Sequence, residues 1–177
     1  MFTLKKLLTT SVVSISISIG LSIGVQAQSL GTLINENQLE NFDLIAQPDG
    51  SGYPTGTGTA VQGKAIFETR CVACHGMSGE GTSTNTRLVG GDMQSEERPI
   101  RTVGSYWPHA STLFDYVQRA MPANAPKSLS SSEVYQVIAY VLHLNGIIED
   151  TLVLNKQTLM QIEMPNKDGF IDSSQAL

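Results

Sequence analysis

The stretch CVACHG, residues 71–76, contains both cysteines of the chain, two residues apart, with His75 directly after the second. A redox dithiol of this spacing lies at the start of a helix that follows a strand, whereas these cysteines come after a predicted helix. A structural zinc site needs further ligands, and His109 and His143 do not repeat the spacing of a zinc finger. A disulfide between cysteines this close is sterically poor. The motif therefore favours a fourth chemistry, covalent attachment of haem.

Haem attachment explains every specified residue of the motif. Cys71 and Cys74 would add to the two vinyl groups of the haem, and His75 would become the proximal ligand of the iron. One motif predicts one haem c. The chain has only five Phe, five Tyr and one Trp, so a flat prosthetic group would also fill part of the core.

Met121 is the predicted distal ligand of the iron. It lies 46 residues after His75, at the end of a predicted helix, and Pro122 fixes the turn that would point its sulfur inward. His143 is predicted to be a structural histidine. The alternatives are an iron without a distal protein ligand, His109, the methionines close to the motif (Met77 and Met93) and those of the C-terminal tail (Met160 and Met164).

The N-terminal residues have the pattern of an export signal. Lys5 and Lys6 precede the uncharged run Leu7–Val25, and Val25-Gln26-Ala27 predicts cleavage after Ala27. The alternative is an uncleaved membrane anchor. Cleavage leaves nine basic and 16 acidic residues, a net charge of −7. This charge disfavours nucleic-acid binding and suits a partner with a basic face. We expect a periplasmic protein without stable membrane insertion.

The remaining chain predicts an all-α domain at 59–146, between an N-terminal extension at 28–58 and a C-terminal tail at 147–177. One helix runs from Thr59 to the cysteines. A second follows Pro108, is capped by Ser111 or Thr112 and ends at Met121-Pro122. A third begins at the capping box of Ser130 and Glu133 and ends at Asn145-Gly146. Residues 78–108 show no sustained period and predict a long loop.

These motifs resemble a class I cytochrome c. The resemblance rests on GKAIFETRCVACHG, then LVGG, then a Met before the final capped helix. It implies that Gly63 and Phe67 meet Tyr140 where the first and last helices cross, and that Leu88 packs on the haem face. Thr86 stands where the family has a proline, and its carbonyl would accept the Nδ1–H of the proximal histidine.

Longer strings resemble one branch of this family, the cytochrome subunit of sulfite and sulfane dehydrogenases. They are QPDGSGYPTGTGTAVQGKAIFETRCVACHG, RPIRTVGSYWPHASTLFDYVQRAMPANAPKSLSSSEVYQVIAYVLHLNG and MPNKDGF. The resemblance implies an electron-transfer protein, not itself an enzyme. Its partners would be a molybdenum-containing catalytic subunit and a downstream cytochrome or oxidase. The alternatives are a free-standing electron carrier and a haem that itself oxidises thiosulfate.

Two further features bear on the haem and on the partner. The loop before the second helix contains the expected donors to the haem propionates, which are Arg98, Arg101, Tyr106 and Trp107. The tail after Gly146 either wraps one side of the domain or, together with the N-terminal extension, forms the docking surface for a catalytic subunit.

Overall fold

α-Helices make up most of the regular structure of the described residues. The computed structural model describes residues 31–35, 45–96 and 98–175, so the predicted signal at 1–27 lies outside the described residues. The described residues from 35 onward form one compact unit, which contains the whole candidate site. In these described ranges there is no β-strand, and a single antiparallel bridge joins Gly58 to Leu154. None of the described helices is long and apolar enough to cross a membrane.

Helix α1 comprises Ala60–Arg70 and is followed by the single turn of α2, Val72–His75. The start of α1 is set by a reciprocal pair of bonds. The Thr59 N–H donates to the Gln62 side chain at 3.0 Å, and the Gln62 N–H donates to the Thr59 hydroxyl at 3.4 Å. Capping boxes of this kind satisfy backbone donors that have no partner within the helix. The predicted first helix, running into the cysteines, is confirmed.

Helix α5, Ser131–Leu144, is the central helix of the core. Its predicted capping box is confirmed, since the Ser130 N–H donates to Glu133 at 2.8 Å and the Glu133 N–H donates to Ser130 at 3.4 Å. The predicted apolar face is buried, and it consists of Val134, Val137, Ile138, Val141 and Leu142. α1 crosses this helix, and the rings of Phe67 and Tyr140 meet edge-on at 5.2 Å. The helix crossing implied by the family resemblance is therefore confirmed.

The stretch predicted to be a loop contains one short helix, α3, Val103–Tyr106. The prediction of loop throughout was wrong here because four residues are too few to display a helical period. Helix α4 comprises Ala110–Ala120, and its N-cap residue is His109 without a side-chain cap bond. The predicted cap at Ser111 or Thr112 was wrong. Ser111 is buried within the helix and hydrogen-bonds Tyr53 of the extension.

The extension and the tail contribute to the same buried core as the helices. Tyr53 packs edge-on against Phe114 with ring centroids 5.0 Å apart. The tail contains helix α6, Lys156–Leu159, and a short 3₁₀ helix, Ser173–Gln175. Its buried residues are Ile148, Leu154, Leu159 and Met164. The tail therefore wraps the domain and has no core of its own.

Candidate functional site

The cysteine pair occupies the junction of α1 and α2. Cys71 ends α1, with its N–H bonded to the Phe67 carbonyl at 2.9 Å, and is half-buried, whereas Cys74 is exposed. The N–H groups of Cys74 and His75 both donate to the Cys71 carbonyl, at 3.1 and 2.9 Å. Both cysteines are free thiols, so the disulfide is not formed. Burial, and secondarily the neighbouring Cys74, raises the pKa of Cys71 to about 11.

The imidazole of His75 has a buried ring nitrogen, Nδ1, that no atom of the described residues engages in a hydrogen bond. The bond to the Thr86 carbonyl, which the family resemblance implied, is therefore not formed, and Thr86 is exposed. The loop folds on itself instead, because Leu88 donates to the Gly79 carbonyl at 2.7 Å and Thr82 donates to the Asn85 carbonyl at 2.9 Å.

Glu80 stabilises the turn directly after the motif, a role that the sequence did not reveal. Its carboxylate accepts the N–H groups of Met77 at 3.2 Å and Ser78 at 2.7 Å. Backbone N–H groups, its own first and then that of Ser78, lower the pKa of this carboxyl. The Gly81 N–H meanwhile donates to the His75 carbonyl at 2.7 Å. An acidic residue within a glycine-rich turn was the available signal for this arrangement.

Met121 directly follows α4 and leaves the helix in an extended conformation, with φ −113° and ψ 149°. Its N–H still donates to the Val117 carbonyl at 3.1 Å, and its side chain is half-buried against the core. His109, the alternative distal ligand, lies at the other end of this 11-residue helix and is exposed. The helix is about 16 Å long at 1.5 Å per residue. The two candidates therefore cannot occupy the same place, and Met121 is the one packed on the core.

Asn145 links the segment that carries Leu88 to the end of α5. Its Oδ1 accepts the Gly90 N–H at 3.2 Å, and its Nδ2 donates to the carbonyls of Leu88 at 3.3 Å and Val141 at 2.8 Å. Thr102 holds Gly90 from the other side by donating to its carbonyl. The sequence identified Asn145 only as a helix stop, because its partners lie 55 and 57 residues away.

The four predicted propionate donors lie in and next to α3. The Arg101 guanidinium stacks 4.9 Å above the Tyr106 ring, and Trp107 meets Tyr116 edge-on at 5.9 Å. Arg98 and Arg101 are exposed, and Trp107 packs against the core cluster that also contacts Cys71, Leu88 and Met121. Their contact with propionates stays a prediction.

The surroundings of the other candidate iron ligands do not resemble those of Met121. The Nδ1 of His143 lies 3.2 Å from the Ile148 carbonyl oxygen, as expected of a structural histidine. Met164 is buried in the core with the tail, and Met77 is exposed. Within the described ranges, no group of three His, Cys, Asp or Glu side chains is placed to hold a metal ion. A cleft of about 420 Å³ lies between the Val89–Gln94 segment, Asn145 at the end of α5, and Pro165 and Asn166 of the tail.

The residues of the site fit a covalently attached haem. Two free thiols stand one helical turn apart, and the adjacent histidine has a buried Nδ1 that no protein atom engages. The other buried side-chain atom without a partner in the described chain is Oε1 of Gln118, three residues before Met121. Unpaired buried polar atoms are uncommon. One of these belongs to the predicted proximal ligand, and the other to a residue three positions before the predicted distal ligand.

Comparison with known proteins agrees with this assignment. The cytochrome c family model matches residues 60–145. The chain is 28% identical over 118 residues to a thiosulfate dehydrogenase of Allochromatium vinosum, covering 66% of this chain and 39% of that protein. It is 33% identical over 119 residues to the Cbb3-type cytochrome c oxidase subunit CcoP of Cereibacter sphaeroides, covering 62% of this chain and 38% of that protein. The chain thus spans about two fifths of the length of these relatives.

Among solved structures, the chain resembles one chain of the sulfane dehydrogenase SoxCD from Paracoccus pantotrophus. The TM-score is 0.77 at 37% sequence identity, over 84% of this chain and 74% of that chain. An identity of this size over most of both chains reflects a common family and not the fold alone. The chain belongs to the cytochrome c family, whose members carry covalently bound haem c and transfer electrons.

Proposed function

We propose that the protein is a periplasmic monohaem cytochrome in which Cys71 and Cys74 hold the haem, His75 is the proximal iron ligand and Met121 the distal one. Leu88 packs on one haem face. The bound haem supplies an iron centre that takes up and releases one electron. The free thiols, the unpaired imidazole Nδ1 and the inward position of Met121 support this assignment.

The ligand pair suits an electron carrier. A thioether ligand raises the reduction potential relative to a second histidine, so the iron can accept electrons from a mild reductant. Met121 in the sixth position would also keep oxygen and other small molecules away from the iron. Arg98, Arg101, Tyr106 and Trp107 would compensate the charge of the propionates, on a protein whose sequence is otherwise acidic.

The proposed role is electron acceptance from the molybdenum subunit of a sulfite- or sulfane-oxidising dehydrogenase. One observation carries this proposal, the likeness to a chain of the sulfane dehydrogenase structure over 84% of this chain. That extent exceeds the cytochrome c match at 60–145 and so includes the extension or the tail. Ala46 and Tyr53 of the extension and four residues of the tail are buried in the core, so both arms belong to the domain that a partner would contact.

The stoichiometry of sulfite oxidation explains why a one-electron carrier is useful. Sulfite and water give sulfate, two protons and two electrons, so each turnover releases two electrons. In the proposed assembly this chemistry takes place on the partner. The haem of this chain would pass the electrons on one at a time to a downstream cytochrome or oxidase.

Native purification from the source cell tests the proposed partner. The haem-loaded protein is isolated with whatever accompanies it, molybdenum is measured, and sulfite and thiosulfate are added in turn while the reduced haem α-band is followed. We expect a molybdenum protein to co-purify and one substrate to reduce the haem. The control is the double variant C71S/C74S, which cannot attach haem. Absence of a molybdenum protein, with no reduction by either substrate, would instead favour the free-standing carrier.

Thiosulfate oxidation at the haem is a second candidate, favoured by the similarity to thiosulfate dehydrogenase. Two thiosulfate ions would give tetrathionate and two electrons, and two haem centres would each take one. The chain has no cysteine beyond the attachment pair to serve as an alternative iron ligand. Reduction of the isolated, partner-free protein by thiosulfate, with tetrathionate formed, would support this candidate.

Export is part of the same proposal, because the signal pattern precedes the cytochrome domain in the sequence. Intact mass of the purified protein should correspond to residues 28–177 plus one covalent haem. Retention of residues 7–25 in the purified protein would support the anchored alternative.

A further inference from the structure

Gln118 is a buried polar residue without a protein partner. It lies in the last turn of α4, is 9% exposed, and its Oε1 is buried with no hydrogen bond within the described chain. Leaving such an atom unpaired destabilises the folded state, because the atom loses its bonds to water and gains none. A leucine or methionine at this position would avoid that cost, so the buried carboxamide calls for a hydrogen-bond partner.

The other polar side chains on this side of α4 are already engaged. Asp115 accepts the Arg119 Nε–H at 3.0 Å and the Ala46 N–H at 3.1 Å. Ser111 hydrogen-bonds Tyr53. These bonds tie α4 to the extension and to itself, and none of them involves Gln118.

The position of Gln118 relative to Met121 indicates the missing partner. Residues three apart on a helix lie on the same side, and Met121 is still tied to the last turn through its bond to the Val117 carbonyl at 3.1 Å. A carboxamide can turn about its Cγ–Cδ bond and present either the oxygen or the Nε2–H groups. A thioether sulfur is a weak acceptor for such a donor.

We propose that Gln118 is a positioning residue for the distal ligand, donating an Nε2–H to the Met121 sulfur and holding the thioether at the iron. This proposal rests on the proposed ligation by Met121. The hydrogen bond draws electron density from the sulfur, which favours the reduced iron and raises the potential. It also limits rotation of the thioether away from the iron, which disfavours replacement by ligands from solution.

Displacement of the distal ligand by imidazole tests the proposal on the ferric haem protein. Imidazole is titrated while the near-infrared sulfur-to-iron band disappears. One hydrogen bond of ordinary net strength corresponds to roughly a fivefold to tenfold change in an equilibrium constant. We expect Gln118→Leu to raise the apparent affinity for imidazole by about this factor and to lower the reduction potential.

The matched control is Ser111→Ala, which removes a buried hydroxyl two turns away on the same side of α4. It should lower the melting temperature and leave imidazole affinity and potential unchanged. If Gln118→Leu does not take up haem, Gln118→Glu replaces it, because it keeps the shape and removes the Nε2–H donor. The same increase in imidazole affinity is expected.

Three results would overturn the proposal, and they differ in what they imply for ligation by Met121. A Gln118 variant with unaltered imidazole affinity and potential, but a lowered melting temperature, would show a packing role and leave Met121 ligation intact. An equal change in Ser111→Ala would show a general effect of loosening α4. Lack of the near-infrared band in the unaltered protein would remove the proposed ligation itself.

Discussion

Gly63 of α1 lies directly against the carbonyl oxygen of Gln136 on α5. A Cβ built on Gly63 would stand 1.8 Å from that oxygen and 3.0 Å from the Cβ of Tyr140. Backbone therefore meets backbone at this crossing, and the close approach allows Phe67 to reach Tyr140. Since α1 ends at Cys71, the crossing sets the position of the haem attachment site relative to the core.

Gly63→Ala should push the two helices apart and destabilise the protein. Overpacking lowers the free energy of unfolding by about 1–3 kcal/mol. We expect a value near the upper end of this range, because the added methyl group meets the backbone of Gln136 and not a flexible side chain. Urea unfolding of the haem-loaded protein measures the effect. Ala65→Ser, on the exposed side of α1, is the control and should change the free energy of unfolding by less than about 0.5 kcal/mol. Equal stability of the two variants would contradict the close crossing.

Asn145→Leu should loosen the segment that carries Leu88. The substitution removes three hydrogen bonds and leaves the Gly90 N–H and the Leu88 carbonyl in need of new partners, whereas the Val141 carbonyl keeps the backbone N–H of residue 145. We expect a loss of about 1–3 kcal/mol and faster hydrogen exchange at Gly90. Asn145→Asp keeps the acceptor for Gly90 and loses both donor bonds, so it should protect the Gly90 amide better than Leu does. No difference between the two variants at Gly90 would rule out the proposed link.

Met121→Ala should abolish the near-infrared sulfur-to-iron band of the ferric protein, because the substitution removes the proposed distal sulfur. Met164→Ala is the matched control, since Met164 is a buried methionine of the tail. That variant should keep the band while losing about 2–5 kcal/mol of stability from the cavity it leaves. A band that persists in Met121→Ala would disprove the ligand assignment.

The raised pKa values of two buried tyrosines predict that the protein loses stability at alkaline pH. Burial raises the pKa of Tyr53 and of Tyr135 to about 12 each, against ~10 in the unfolded chain. Between these values the unfolded state releases protons that the folded state keeps, so the free energy of unfolding falls as pH rises from ~10 to ~12. Below pH ~10 the contribution is fully present.

Tyr135→Phe measures the contribution of Tyr135 alone to this loss of stability at alkaline pH. At pH 8 the variant should be less stable by about 1 kcal/mol, because the hydrogen bond from Tyr135 to the Pro54 carbonyl at 3.1 Å is lost. Its stability should then fall less steeply above pH ~10. Urea unfolding from pH 8 to 11.5 measures both effects, and parallel curves for the two proteins would contradict the assignment.

The features that the sequence predicted correctly depend on residues close together in the chain. Cys71, Cys74 and His75 form a motif of five residues, and the predicted capping box of α5 joins Ser130 and Glu133, three residues apart. The buried face of α5 follows from the helical period of its own side chains. Local geometry determines such features before any tertiary contact is made, so pattern alone was sufficient.

The features that the sequence missed depend on partners brought together by folding. Ser111 is a buried helix residue and not a cap, because Tyr53 from the extension covers it. The Thr86 carbonyl does not reach His75, since the loop is closed by bonds to Gly79 and within itself. Neither outcome can be derived from residue type or spacing.

The sequence by itself determined the haem motif, the principal helices and the candidate ligand Met121, because each has a signal within a few residues. The tertiary structure alone decided the link from Asn145 to Leu88, across 57 residues, and the burial of Gln118 without a partner. Hydrogen bonds and burial across such separations depend on how helices and loops pack, and packing is a property of the whole chain.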